Sequence, residues 1–271
     1  MNPTLNVVVL QMTSGDIVEK NIEQALSVLG QPSLNKVDLI SLPENCLFLR
    51  VEGEDKVKGW DATSPYFEPF KDFAKKNNLF IHLGSIPLNR NSQIYNSSII
   101  IEPTGNLVAD YSKIHLFDVD VDGERSHRES MTFAHGELPT VVDIRGWKVG
   151  LTICYDLRFS ELFLHYAKQP VDLILVPAAF TVPTGQAHWE ILLRARAIEA
   201  QCYVAAAAQS GTHVGHKGGK RQTYGHSVII DPWGTKLVEA HEGLGIIKAG
   251  LEKSEIEKVR RQIPMKNHRR L

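Results

Sequence analysis

No apolar segment of this 271-residue chain reaches membrane-spanning length, and no basic cluster precedes a short apolar run at its N-terminus. Neither a helical membrane protein nor a secreted one is therefore expected. Cysteine is scarce: Cys46, Cys154 and Cys202 are an odd number without close spacing, which argues against a disulfide framework and for a reducing, cytoplasmic setting. Charge of either sign is in no excess, the net value being -1, so nothing draws the whole chain to nucleic acid or to an anionic membrane. His213 and His216 lie three apart without cysteines or acids at ligand spacing, so no metal is expected there; no cofactor of another kind is expected either. No linker rich in proline, glycine or serine divides the sequence, and residues 1–271 read as one domain.

What the chain does have is alternation. Short β-branched runs (6–12, 37–42, 79–86) are separated by amphipathic stretches (18–29, 65–76), the pattern of strands covered by helices in an α/β protein. Two turns of like chemistry, Glu102-Pro103-Thr104-Gly105 and Asp231-Pro232-Trp233-Gly234, each sit between β-rich runs and hint at two similar half-sheets. The glycine-rich stretch from Gly211 to Arg221 reads as a mobile loop.

Three functional side chains fall at strand ends, where ligands bind in α/β sheets: Glu44, Lys113 and Cys154. Cys154 closes the run from Val149 to Ile153 and opens a helix-like stretch, so its thiol sits at an elbow whose first amides are unpaired. A cysteine nucleophile needs a base for its proton and later for water, which Glu44 can be. Its tetrahedral intermediate needs positive charge, which Lys113 and the backbone amide of Tyr155 can supply at about 3 kcal/mol per donor.

The segments Leu42-Pro43-Glu44-Asn45, 111–118 and 150–159 resemble, in order, the three catalytic motifs of the nitrilase superfamily. The resemblance covers essentially the whole chain. It implies a four-layer αββα sandwich with Glu44 as general base, Lys113 as oxyanion stabiliser and Cys154 as nucleophile, and it marks Glu129 as an additional active-site acid that positions Lys113. Tyr155-Asp156 stands where true nitrilases typically carry Trp-Glu, which favours amide over nitrile hydrolysis. The runs 188–204 and 224–235 are similar to the deaminated glutathione amidase branch. That likeness implies cleavage of deaminated glutathione to 2-oxoglutarate and cysteinylglycine through a thioester on Cys154. The acyl group ends in a carboxylate, for which Arg158, four residues beyond the nucleophile, is the candidate partner, with an ion pair to Asp156 as its structural alternative. Thr181, after another strand end, is placed to hydrogen-bond the oxo-acid. The competing readings are an ω-amidase for small 2-oxo-acid amides, an N-carbamoyl amide hydrolase and a non-catalytic binding protein. The apolar, small-residue surface after His188 fits a dimer contact or a thick core helix, and the resemblance implies at least a homodimer.

Overall fold

The computed structural model describes residues 3–30, 36–51, 57–120, 126–169 and 171–270. In chain order they form β1 (Thr4–Gln11), α1 (Val18–Leu29), β2 (Leu39–Ser41), α2 (Glu68–Asn77), β3 (Phe80–Arg90), β4 (Gln93–Ile101), β5 (Leu107–Ser112), β6 (Asp118–Val119), β7 (His127–Arg128), β8 (Thr140–Ile144) and β9 (Trp147–Leu151). There follow α3 (Ser160–Lys168), β10 (Leu173–Leu175), α4 (Val182–Ala200), β11 (Tyr203–Ala206), β12 (Ser210–Val214), β13 (Lys220–Tyr224), β14 (Val228–Ile230), β15 (Lys236–Glu239), β16 (Gly245–Glu252), α5 (Lys253–Gln262) and α6 (Met265–His268).

Two six-stranded sheets dominate, in the orders β16-β1-β2-β3-β4-β5 and β15-β14-β11-β10-β9-β8. Each has the same pairing pattern: two parallel ladders in the middle, one antiparallel strand on one side and two on the other. The two proline-glycine turns occupy equivalent places, joining β4 to β5 and β14 to β15. Gly105 (φ 85°) and Gly234 (φ 88°) donate back to Glu102 and Asp231 at 2.8 and 2.9 Å. The left-handed φ explains why glycine is needed there.

Strand alternation sorts the first sheet into two faces. Val7 and Val9 pack toward the second sheet in a core shared with Val149, Leu151, Ile174 and Val204, while Val8 and Leu10 pack beneath α1 and α2 with Ala25, Leu29, Phe67 and Phe70. The second sheet's core also takes Phe163 and Tyr166 from α3 and Trp189 and Leu193 from α4. Helix, sheet, sheet and helix therefore stack as the αββα sandwich. Each fully buried aliphatic chain contributes about 1.5–3 kcal/mol.

The stretch Gly211–Arg221 differs from the sequence reading. It forms most of the antiparallel hairpin β12–β13, not a mobile loop. His213, 1% exposed, explains this: its Nδ1 bonds the Ser14 carbonyl and its Nε2 the Thr223 hydroxyl, both at 2.7 Å, tying the hairpin to the loop after β1.

Candidate active site

Glu44 follows β2 and Lys113 follows β5, whereas Cys154 follows β9 of the other sheet, so the site forms where the strand ends of both sheets meet. Gly84 on β3 permits the approach. A Cβ there would lie 2.0 Å from the Leu42 carbonyl, 2.5 Å from that of Pro43 and 2.6 Å from the Pro177 side chain, so only glycine fits between the segment after β2 that leads to Glu44 and the segment after β10.

Lys113 is 1% exposed, and its ammonium lies 2.9 Å from Glu44 Oε1 and 2.8 Å from Glu129 Oε2. Burial alone would lower its pKa, but the charges of Glu129 and Glu44 outweigh burial and hold it well above its ordinary value. Glu44 is 4% exposed. Burial raises its pKa, yet the Lys113 charge and hydrogen bonds from Cys154 and Lys113 prevail, and the carboxyl lies below its ordinary value. Its Oε2 also accepts from the Ala179 amide at 2.9 Å. Glu129 opens a 3-10 turn, and besides Lys113 its Oε2 takes the Phe117 amide at 2.7 Å.

Cys154 adopts φ 49°, a left-handed conformation that costs a non-glycine residue on the order of 1–3 kcal/mol. The turn presents the thiol at the mouth of a 3-10 segment, Cys154–Arg158, whose first amides, Tyr155 among them, have no intrahelical acceptor. Burial and then the Glu44 charge push the thiol well above its ordinary pKa, against the pull of Lys113. The resting pair is thus a thiol facing a carboxylate, the protonation states a base and an incipient nucleophile require. Cys46 and Cys202 are wholly buried, and desolvation raises both to about 12.

Sequence reasoning did not find the role of three further residues that hold this geometry, of which it had named only Asp156. Asn96 on β4 donates through Nδ2 to Glu44 Oε1 (3.1 Å) and Glu129 Oε1 (2.9 Å). Asp156, wholly buried, accepts from the Tyr111 hydroxyl, the Ile153 amide and the His115 amide and bonds the His115 ring, at 2.7–3.0 Å, clamping the cysteine turn to the segment that carries Lys113. It is therefore committed elsewhere than to Arg158. Arg196 on α4 closes the turn with two bonds to the Leu157 carbonyl, at 3.1 and 3.0 Å.

A cavity of about 820 Å³, open to solvent, spreads over these groups. Arg158 lines it at the end of the 3-10 turn rather than within a continuous helix, its guanidinium 5.8 Å from the Tyr155 ring centroid and 5.4 Å from that of Phe180, with Nη1 3.1 Å from His188 Nδ1. Thr181 also lines the cavity, its hydroxyl bonded to that of Thr184 at 2.9 Å. Arg50, Arg128 and, from the β12–β13 hairpin, Arg221 also line it, Arg128 being paired with Asp120 at 2.7 Å.

The sequence model of the family described as carbon-nitrogen hydrolase matches residues 6–261. The chain belongs to the carbon-nitrogen hydrolase family. This carbon-nitrogen hydrolase is 39% identical to the deaminated glutathione amidase of Dictyostelium discoideum, over 100% of this chain and 96% of that one. It is 38% identical to the nitrilase and fragile histidine triad fusion protein NitFhit of Caenorhabditis elegans over 97% of its own length, and spans 60% of that longer protein. Its structure is similar to that of Saccharomyces cerevisiae Nit3, described as a member of branch 10 of the nitrilase superfamily, with a TM-score of 0.84 and 28% identity over 100% of this chain and 98% of that one.

Proposed function

We propose that this carbon-nitrogen hydrolase is a single-domain amidase that cleaves deaminated glutathione to 2-oxoglutarate and cysteinylglycine, a repair of a damaged metabolite. The observation that carries the reading is the Cys154 thiol lining one cavity with a Glu44 carboxylate that the Lys113 ammonium, 2.9 Å away, holds ionised. The 39%-identical relative that bears the name of this activity supports the choice of substrate.

In this mechanism Glu44 takes the proton from the Cys154 thiol as sulfur attacks the amide carbonyl carbon, and the carbonyl π pair moves to oxygen. The oxyanion sits between the Lys113 ammonium and the Tyr155 amide. Its collapse breaks the C–N bond, with the proton passing from Glu44 to the leaving nitrogen. Water, deprotonated by Glu44, then attacks the thioester; the C–S bond breaks and the proton returns to sulfur. Glu129 positions Lys113, Arg158 pairs with the carboxylate of the 2-oxo acid, and Thr181 donates to its oxygens. No metal or other cofactor enters the scheme.

A homodimer belongs to the same proposal. Ile191 (70% exposed) and Ile198 (45%) on α4, with Trp233 (56%) in the adjoining turn, offer an apolar surface for it. A cytoplasmic location is included as well, supported by three unpaired cysteines.

The experiment is kcat/KM on deaminated glutathione and on 2-oxoglutaramate, reading 2-oxoglutarate with a coupled dehydrogenase. A preference of tenfold or more for the first, about 1.4 kcal/mol in transition-state binding, is expected, with an acyl adduct on Cys154 after rapid quenching and no turnover by Cys154→Ala. A preference for 2-oxoglutaramate makes the enzyme an ω-amidase, and turnover by Cys154→Ala overturns the mechanism.

A further inference from the structure

Asn96 has no part in the scheme above, yet it touches the backbone or side chain of three of its members. It lies 1% exposed on β4; its two amide hydrogens reach one carboxylate each, Glu44 and Glu129, and its main-chain carbonyl accepts from the Lys113 amide at 2.8 Å. Its side-chain oxygen is buried without a partner among the described residues. Carboxylates only accept, so the amide must turn its NH2 group toward them, and it does so at the expense of leaving its carbonyl unpaired. A buried amide held with one end unsatisfied is oriented by the charges it faces, not by the packing of the strand that carries it.

We propose that Asn96 is a positioning residue that directs the proton of Cys154 to one particular oxygen of Glu44. The argument is a count of lone pairs. Glu44 Oε1 already accepts from Lys113 and Asn96, which fills its two in-plane sites. Apart from the thiol itself, Oε2 accepts only from the Ala179 amide among the described residues and keeps one site, so the thiol proton goes there. Without Asn96, Oε1 has a vacant site and the proton has two destinations, one of them competing with the lysine. The donor must also be neutral: a cation would weaken the base further, and an acid would force a shared proton between carboxylates. The second N–H fixes Glu129 at the same time, so the two acids stay apart on either side of Lys113.

The proposal rests on Glu44 acting as base toward Cys154 and is independent of the substrate. The titratable and charged groups facing Glu44 are Lys113, Glu129, Cys154 and Arg221. Its test is the pH dependence of Cys154 alkylation by iodoacetamide, located by peptide mass spectrometry, in the wild type, Asn96→Ala, the isosteric Asn96→Asp and Glu44→Gln. Losing a donor to the carboxylate raises its pKa, so Asn96→Ala is expected to move the acid limb of the profile up by about one pH unit, and Asn96→Asp by more. Glu44→Gln is expected to abolish that limb. Asn96 variants that lose thermal stability or the fraction of labelled protein without moving the limb have a packing role only, which overturns the proposal. A limb that survives in Glu44→Gln overturns the base assignment on which it rests. Should Asn96→Ala not fold, Asn96→Asp, which preserves volume, carries the same two outcomes.

Discussion

Replacing Arg158 by glutamine keeps much of the side chain over the Tyr155 and Phe180 rings and removes the charge. A hydrogen-bonded ion pair to a substrate carboxylate is worth about 1.5–3 kcal/mol. Arg158→Gln is therefore expected to raise KM for 2-oxo-acid amides by about tenfold to a hundredfold while leaving hydrolysis of uncharged amides nearly unchanged. Equal loss on both classes would show that Arg158 supports the wall rather than the ligand. At this scale the sequence displayed Glu44, Lys113 and Cys154 because each ends a strand and carries the reactive chemistry itself. It did not display the roles of Asn96, Asp156 or Arg196, which depend on distant partners: Asn96 is 52 residues from Glu44, Asp156 is 45 from Tyr111, and Arg196 is 39 from Leu157. A buried amide or acid has no local pattern, and only the fold supplies its meaning.

Elements set how closely those residues can meet. Gly84 is a tight point beside the site, since a methyl group there would lie 2.0 Å from the Leu42 carbonyl, and backbone cannot give way as a side-chain tip can. Gly84→Ala is expected to destabilise the protein by about 3 kcal/mol or more in urea unfolding and to lower kcat along with stability, because the displaced segment carries Glu44. An unchanged kcat at reduced stability would place the strain away from the site. The two half-sheets were legible because their turns carry proline and left-handed glycine at matching positions. The amphipathic stretch 18–29 became α1 at the same limits, since its apolar spacing alone demands that face. The β12–β13 hairpin was not legible: its glycines and lysines look like a loop, and the bond that orders it, His213 to the Ser14 carbonyl, spans 199 residues. The helix after Thr181 likewise begins at Val182, ahead of the apolar run from which it could be inferred, with proline in its first turn, where no amide is needed.

For the whole molecule, two buried histidines set the response to acid. Desolvation holds His82 at about 3 and His213 at about 4, against 6.5 when exposed. Both are neutral in the native state at neutral pH. As pH falls below 6.5 the unfolded chain takes up protons that the folded chain refuses, so stability drops toward those lower values, by up to about 1.4 kcal/mol per histidine per pH unit. The urea midpoint is expected to fall steadily from pH 6.5 to 4.5, and His213→Gln to flatten that slope; a slope unaffected by the substitution would assign the acid sensitivity to other groups. A further consequence lies in where the site is assembled. Glu44 and Lys113 arrive on one sheet and Cys154 on the other, so neither layer by itself holds a thiol with a base beside it. Until the layers dock, the cysteine is an ordinary one without its base, so the thiol and the carboxylate that takes its proton come together only in the assembled sandwich.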